Sequence, residues 1–386
     1  FFGATVSKPT AALRRELETW RTKRNAVVET VPELMVMEEM RQPRPTHLLK
    51  RGVYDAPGER VQPDVPTALG PLPPAAPRNR LGLAQWLLSP ENPLTARVAV
   101  NRYWQMYFGT GLHASVNNFG NQGGLPTHPE LLDWLAVNFR TSGWNVKALQ
   151  KLIVTSATYR QSSQASPALR RRDPANALLA RGPAFRLTAE QVRDNALAAS
   201  GLLSPTVGGP SVKPYQPAGL WDVNRAEYVQ SHGPDLYRRS LYTFWRRTNP
   251  PPSMNTFDAP SRSYCVVQRQ QTSTPLQALV LLNDPQFVEA ARVLAQRTAA
   301  EVPDAPGRVR LAFRRLAARQ PSARELDILT RLYDREREGF ARQPARQTGW
   351  LRTGEAPAAD TNAPDVAALA VVASTIMNSD AFITRR

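Results

Sequence analysis

A chain of 386 residues, 42% of them hydrophobic, can bury one large core or two ordinary ones, and no run in it approaches the roughly 18 apolar residues that cross a bilayer. Its formal net charge of +17 rests on 49 basic residues, all but six of them Arg, which calls for an anionic partner: nucleic acid, phospholipid head groups or an acidic polymer. The Arg are spread along the whole chain beside 35 Pro, a pattern that GC-rich coding also produces, and no RNP, zinc-finger or recognition-helix signature singles out nucleic acid.

The chain opens FFGATVSKP, without Met and without a basic-then-apolar leader, and is expected to be a fragment or a processed chain. Residues 1–30 read as a helical spacer, with a charged face at Arg14, Arg15, Glu16 and Glu18. Residues 31–77 carry Pro at nine positions from 43 to 77 and read as an extended arm. Residues 78–386 read as an all-α domain, helical over 78–202 and 263–386, with an irregular Gly/Pro/Ser/Asn-rich insertion over 203–262.

Within that domain Asn92-Pro93 is expected to start a helix running to Gly109. Capping boxes are expected at Thr127–Glu130, Thr188–Gln191 and Ser322–Glu325, and a last helix over Asp365–Met377. The string SLYTFWRRT fits a strand or a helix equally. Thr274-Pro275 and Asp284-Pro285 repeat one device, a capping side chain before a Pro at the first helical position. Asn283 is expected to take the left-handed turn between the two helices. Leu276, Leu279, Val280 and Leu282 are expected to bury the first helix, and Phe287 and Val288 the second.

Chemistry is thinly signalled. Arg97, Asn101 and Gln105 recur every four residues and share a helix face beside Trp104, so they suggest either a polar pocket or a structural network. The segment YRRSLYTFWRRT contains Arg238, Arg239, Tyr242 and Arg246, and Arg262 and Arg269 follow. Guanidinium forks among aromatic rings suit carboxylate, sulfate or phosphate. His128, Glu130, Asp258 and Asp284 are the weak candidates for acid–base work, each with a structural alternative as cap or turn residue. No metal-ligand spacing joins His47, His113, His128 and His232, and no G-x-S-x-G is present. The single Cys265, beside Val266 and Val267, excludes an intrachain disulfide and reads as a buried small hydrophobe.

Seven strings in order resemble one family: EEMRQPRPTHLLKRGVYDAPGERVQPDVP, NRLGLAQWLLSPENPLTARVAVNRYWQMYFGTGL, NNFGNQGGLPTHPELLDWLAVNF, GWNVKALQKLIVTSATYRQSS, GPSVKPYQPAGLW, YRRSLYTFWRRTNPPPSMNTFDAPSRSYC and TSTPLQALVLLNDPQFVEAAR. They are similar to the planctomycete-specific C-terminal domain of unknown function, also found in Verrucomicrobia, over about residues 31–386. Ser263, Gln270-Gln271 and Ser273 depart from that family's usual Glu, Arg and Asn. The resemblance implies a periplasmic or secreted location at the end of large exported proteins that carry a c-type cytochrome module, near polysaccharide-degradation genes. It supplies no catalytic residues. C-x-x-C-H is absent here, so any haem c would belong to a partner or to a missing N-terminal part. Three roles follow as expectations: a module acting on anionic polysaccharide with a cytochrome partner, a scaffold for that partner, or non-specific nucleic-acid binding through charge.

Overall fold

Capped, periodic apolar segments dominate the chain, and the computed structural model, which describes residues 10–221, 227–358 and 363–385, is mainly α. The chain divides into two units, Phe1–Trp86 and Leu87–Arg386. In the first, α1 (Ala11–Val28) buries none of its residues. The Pro-rich stretch is not a plain extended arm. Between its prolines it folds an antiparallel hairpin of β1 (Thr46–Leu49) and β2 (Pro57–Val61), with Thr46 opposite Val61 and His47 opposite Arg60. At the unit's end α2 (Arg80–Leu87) donates its Trp86 indole N–H to Gly70 O at 3.2 Å.

The second unit contains two apolar clusters. One joins α3 (Thr95–Phe108), α4 (Pro129–Thr141) and α5 (Val146–Thr155) through Val100, Trp104, Leu132, Phe139, Leu149 and Ile153. Short α6 (Ala157–Arg160) and α7 (Pro167–Arg172) follow, then a two-residue strand β3 (Phe185–Arg186). The larger cluster is built on α8 (Ala189–Ser200), α9 (Pro252–Thr256), α10 (Pro275–Asn283), α11 (Pro285–Glu301), α12 (Ala305–Ala317), α13 (Ala323–Arg342), α14 (Gln347–Leu351), α15 (Pro364–Met377) and α16 (Asp380–Ile383). Its centre is α15 against α11 and α13. Ala367, Ala368, Ala370 and Ala373 of α15 and Ala290, Ala291 and Ala295 of α11 are fully buried, and such small side chains let helix axes approach closely. The closing strand β4 (Thr384–Arg385) pairs antiparallel with β3.

Local signals held where nothing competed with them. The boxes Thr188–Gln191 and Ser322–Glu325 form in both directions. The box at Thr127–Glu130 does not: Thr127 gives its N–H and its hydroxyl to Leu112 O, and His128 caps α4 with no side-chain bond. Asn92 accepts from Leu94 N and Thr95 N, so α3 begins two residues later than Pro93 suggests. Asn283 stays helical and donates to Leu279 O at 2.9 Å, while extended Asp284 makes the break. The first helix of that pair departs from expectation at its leucines, while Val280 is half-buried against the larger cluster as expected. Leu276, Leu279 and Leu282 are exposed, and the buried residues of α10 are Gln277 and Leu281. Gln277 is drawn inward by its bonds to Thr256 O at 3.0 Å and Arg186 at 2.8 Å. Cys265 is exposed rather than buried.

The irregular insertion has no strand or long helix among its described residues; 222–226 lie outside them. SLYTFWRRT is neither strand nor helix but a 3₁₀ turn over Ser240–Tyr242 and isolated bridges, Val212 to Thr243 among them. Irregularity also continues through 257–274, where regular helix was expected from 263. Backbone carbonyls outside helices and sheets still need donors when buried, and buried Arg supply them with five N–H groups each. Arg193 of α8, 3% exposed, donates to Leu236 O, Arg238 O and Gln286 Oε1. Arg238 reaches Pro210 O and Gly208 O and stacks on Tyr242, 3.9 Å from the ring centre. On α11, Arg292 donates to the carbonyls of Thr353, Ala356 and Pro357. Buried Glu289 accepts from Tyr215, Tyr237 and Ala356 N. Burial, with Glu289 beside them, pushes both tyrosine hydroxyls well above their ordinary pKa.

Candidate functional site, an arginine-lined cleft

The stripe of Arg97, Asn101 and Gln105 does not form a pocket. Each four-residue step along a helix overshoots a full turn by about 40°, so the outer two differ by about 80°. Arg97 therefore points out and pairs with Asp133 at 2.6 Å, holding that carboxyl below the usual carboxylate range. Asn101 is fully buried and ties the 111–113 loop to α3, exchanging bonds with His113 N and O at 2.9 Å each. Trp104 stacks on Phe108 with ring centres 4.1 Å apart inside the smaller cluster. Gln105 lines a cavity of about 610 Å³.

The acid–base candidates are dispersed. His128 contacts Thr127 Oγ1 at 3.1 Å, and Glu130 lies exposed in the first turn of α4. Asp258 has a left-handed backbone, φ 60°, and accepts from Thr272 N and Oγ1 at 2.7 and 2.9 Å. Asp284 caps α11 through Gln286 N at 3.0 Å; burial raises its carboxyl to about 6, against the opposing pull of that bond and of Arg193. It borders an apolar groove of about 480 Å³ formed with Tyr215, Pro217, Pro252, Leu276 and Leu279. Among the described residues no three of His, Cys, Asp or Glu gather as a metal set.

The Arg candidates divide by burial. Arg238 is turned inward with Tyr242, as described, and Arg246 lies half-buried over Trp221 at 4.9 Å. Arg239, Arg262 and Arg269 face a cleft. Along 236–241 Leu236, Arg238 and Ser240 are buried and Arg239 and Leu241 exposed. Arg238 and Arg239 form a non-helical link between two 3₁₀ turns, Gly233–Tyr237 and Ser240–Tyr242, and that link turns the two guanidinium groups to different sides. Arg262, at φ 60°, rests on Trp245 at 4.9 Å.

Two larger hollows make up this cleft. One, about 660 Å³, is lined by Glu190, Asp194, Arg239, Arg262, Arg269 and Arg385 over an apolar floor that includes Leu241, Leu316 and Phe382. The other, about 610 Å³, is lined by Arg102, Tyr103, Gln105, Met106, Arg186 and Val266, and it shares Glu190, Gln191 and Arg269 with the first. A small hollow of about 30 Å³ lies between Arg186, Asp258 and Thr272. Six arginines thus meet two carboxylates, Glu190 and Asp194. Asp194 is committed to Ser240, accepting its N–H and hydroxyl at 2.8 and 2.7 Å. Glu190 holds Arg269 at 2.7 Å; burial works against its ionisation, yet Arg269 leaves the carboxyl below its ordinary value. Arg186 bonds Ser273 and Gln277, and Arg385 bonds Tyr107 O and the Tyr159 hydroxyl. Arg102, Arg239 and Arg262 have no acidic partner among the described residues.

Sequence reasoning missed Arg102, Arg186, Glu190, Asp194 and Arg385. The helical signal for Arg102 was present: Ala99, Arg102, Tyr103 and Met106 recur at three- and four-residue spacing and all line the cleft. Arg186 and Arg385 come to the same cleft because β3 pairs with β4 across nearly two hundred residues, and no local pattern announces that.

Fold and cleft together define a mainly α protein whose larger unit carries an open, arginine-lined trough. Residues 79–333 match the family described as PSD1, Protein of unknown function (DUF1553), and the chain belongs to it. No curated protein and no solved structure matches the chain.

Proposed function

We propose that the chain is a binding module for an extended anionic polysaccharide, sulfated or uronic-acid, held in the arginine-lined cleft. The observation that carries this reading is the gathering of six Arg on one trough, three of them without an acidic partner among the described residues. Guanidinium forks match carboxylate and sulfate oxygens in pairs, and the apolar floor suits the faces of sugar rings. Both cleft carboxylates are occupied by internal partners, which favours binding over acid–base hydrolysis at this site. The family resemblance adds the setting: an extracytoplasmic module of planctomycete type, working beside a cytochrome-bearing partner that holds any haem c. Among the described residues no helix is long and apolar enough to cross a membrane.

A structural scaffold for that cytochrome-bearing partner is the second reading, supported by the exposed Leu276, Leu279 and Leu282 of α10. Non-specific nucleic-acid binding through net charge is the third. Affinity gels containing polygalacturonate, chondroitin sulfate or single-stranded DNA separate the three. Retardation by an acidic glycan, abolished in Arg239→Ala/Arg262→Ala and unaffected by Arg246→Ala, is the expected result. Equal retardation by DNA favours the charge-only reading, and no retardation by any acidic glycan overturns the proposal.

A further inference from the structure

The cleft has a waist. Arg269 is the residue common to all three hollows, and the two large ones share it only with Glu190 and Gln191. At that point the Glu190 carboxylate holds the Arg269 guanidinium at 2.7 Å. Two very different supports carry the pair. Glu190 stands in the first turn of α8, a helix fixed by the Thr188–Gln191 capping box and by buried Ala189, Val192 and Arg193. Arg269 stands on the stretch 262–274, which has no helix or strand and is exposed at every residue. That stretch is tied down at its far end, by Thr272 to Asp258 and by Ser273 to Arg186. An acid on a capped helix thus meets a base on an exposed, irregular stretch of chain.

We infer, on the basis of the glycan reading above, that Glu190 is a built-in stand-in for a ligand's acidic group. An anionic chain running from one large hollow into the other takes Arg269 from Glu190, whereas a ligand confined to one hollow does not. The exchange is electrostatically conservative for Arg269, which trades one carboxylate contact for another anion within reach of its guanidinium. Side chains of this pair are 39% and 24% exposed, so water and salt already compete with the contact. Once displaced, Glu190 faces the ligand as a like charge. The pair therefore selects for chains long enough to gain contacts in both hollows, and it disfavours short acids that would gain only one.

Titration calorimetry with monomeric galacturonate and with a long oligogalacturonate tests this on the full chain. Glu190→Gln keeps the side-chain shape and is expected to tighten the long oligomer about fivefold, the effect of removing one exposed competing ion pair, while leaving the monomer unchanged. Arg269→Gln, on an exposed irregular stretch where folding is not at stake, is expected to weaken the long oligomer. In that background Glu190→Gln is expected to have no further effect, because the two residues act as a pair. If the wild-type chain binds the long oligomer and Glu190→Gln binds it no tighter, the stand-in role is overturned and the glycan reading survives. If the wild-type chain binds neither this oligomer nor a sulfated one, the glycan reading falls and takes the stand-in with it.

Discussion

The helical core and the irregular stretch 203–274 solve the same problem with opposite materials. Around α15 the backbone satisfies itself, so Ala, Leu and Val suffice to fill the space. In the irregular stretch the backbone has no ladder, and a buried charge on α8 takes its place: Arg193 serves the carbonyls of Leu236 and Arg238, while Glu289 of α11 holds the Tyr215 and Tyr237 hydroxyls. Outside the stretch, Arg292 of α11 serves the carbonyls of Thr353, Ala356 and Pro357 in the same way. The comparison teaches that Arg content alone carries no functional meaning in this chain. Arg193, Arg238 and Arg292 act as backbone staples, and Arg102, Arg239, Arg262 and Arg269 line a trough, although Arg238 and Arg239 are adjacent in sequence.

Removing one staple and one core side chain puts the two solutions side by side, and the staple is the larger effect. Arg193→Ala strands the carbonyls of Leu236 and Arg238 and the Gln286 amide oxygen, at about 1–3 kcal/mol for each buried group left unsatisfied, about 4 kcal/mol together. Leu294→Ala in α11, fully buried, opens a cavity worth about 3 kcal/mol. Urea unfolding gives both magnitudes, and limited proteolysis gives their location. New cleavage of Arg193→Ala within 203–274, with Leu294→Ala showing none there under native conditions, is the expected pattern. Identical cleavage maps would dissolve the distinction between the two regions.

How much of this was legible in the sequence follows from the same contrast. Fold class and the caps at Thr188 and Ser322 are local properties, set by side chains within three residues, and they were readable. The burial of α10 was not. Six of its nine residues are hydrophobic, so hydropathy cannot choose a face, and the choice fell to Gln277, whose partners Thr256 and Arg186 lie 21 and 91 residues away. The cleft was half readable. Arg239, Arg262 and Arg269 belong to the singled-out Arg–aromatic segment and its continuation, yet polar Arg238 and Ser240 face inward while Leu241 faces out, which reverses the usual inference from hydropathy. The partners that make these residues a cleft come from α8 and from the chain's end.

Between the two regions sits Asp284, the residue that ends α10 and caps α11, and its charge sharpens the comparison at intermediate cost. Burial raises its carboxyl from an ordinary 3.8 to about 6. The folded state therefore holds this proton more tightly than the unfolded chain. The contribution is fully present below about pH 3.8 and is lost as pH rises through about 6. Asp284→Asn retains a good capping side chain without the charge. It is expected to raise stability at pH 7.5 by about 1–2 kcal/mol, a figure discounted for the water the half-buried group retains, and to leave stability at pH 4 nearly unchanged. A variant that is less stable at pH 7.5 would show that the charged carboxylate is favoured at this junction and would overturn the burial penalty.

The smallest expected effect lies wholly inside the helical region, at the start of α13. Glu325 completes the capping box by accepting from Ser322 N at 2.7 Å, and it also holds the Arg319 guanidinium at 2.6 and 2.9 Å. The Arg319 bonds, with the Ser322 bonds behind them, lower its carboxyl from 4.5 to about 2. A depressed carboxylate stabilises the fold above the unfolded value, so this contribution is intact above about pH 4.5 and disappears as pH falls through about 2. Both side chains are a third or more exposed, 37% and 35%, which limits the contribution to under about 1 kcal/mol. Guanidinium unfolding midpoints followed from pH 5 to pH 2 are expected to fall slightly more steeply for the wild-type chain than for Glu325→Gln, whose amide still closes the box. Parallel curves would mean that the Arg319 pair contributes nothing beyond the cap, and that even in the helical region a short ion pair is decoration on a local hydrogen-bond motif.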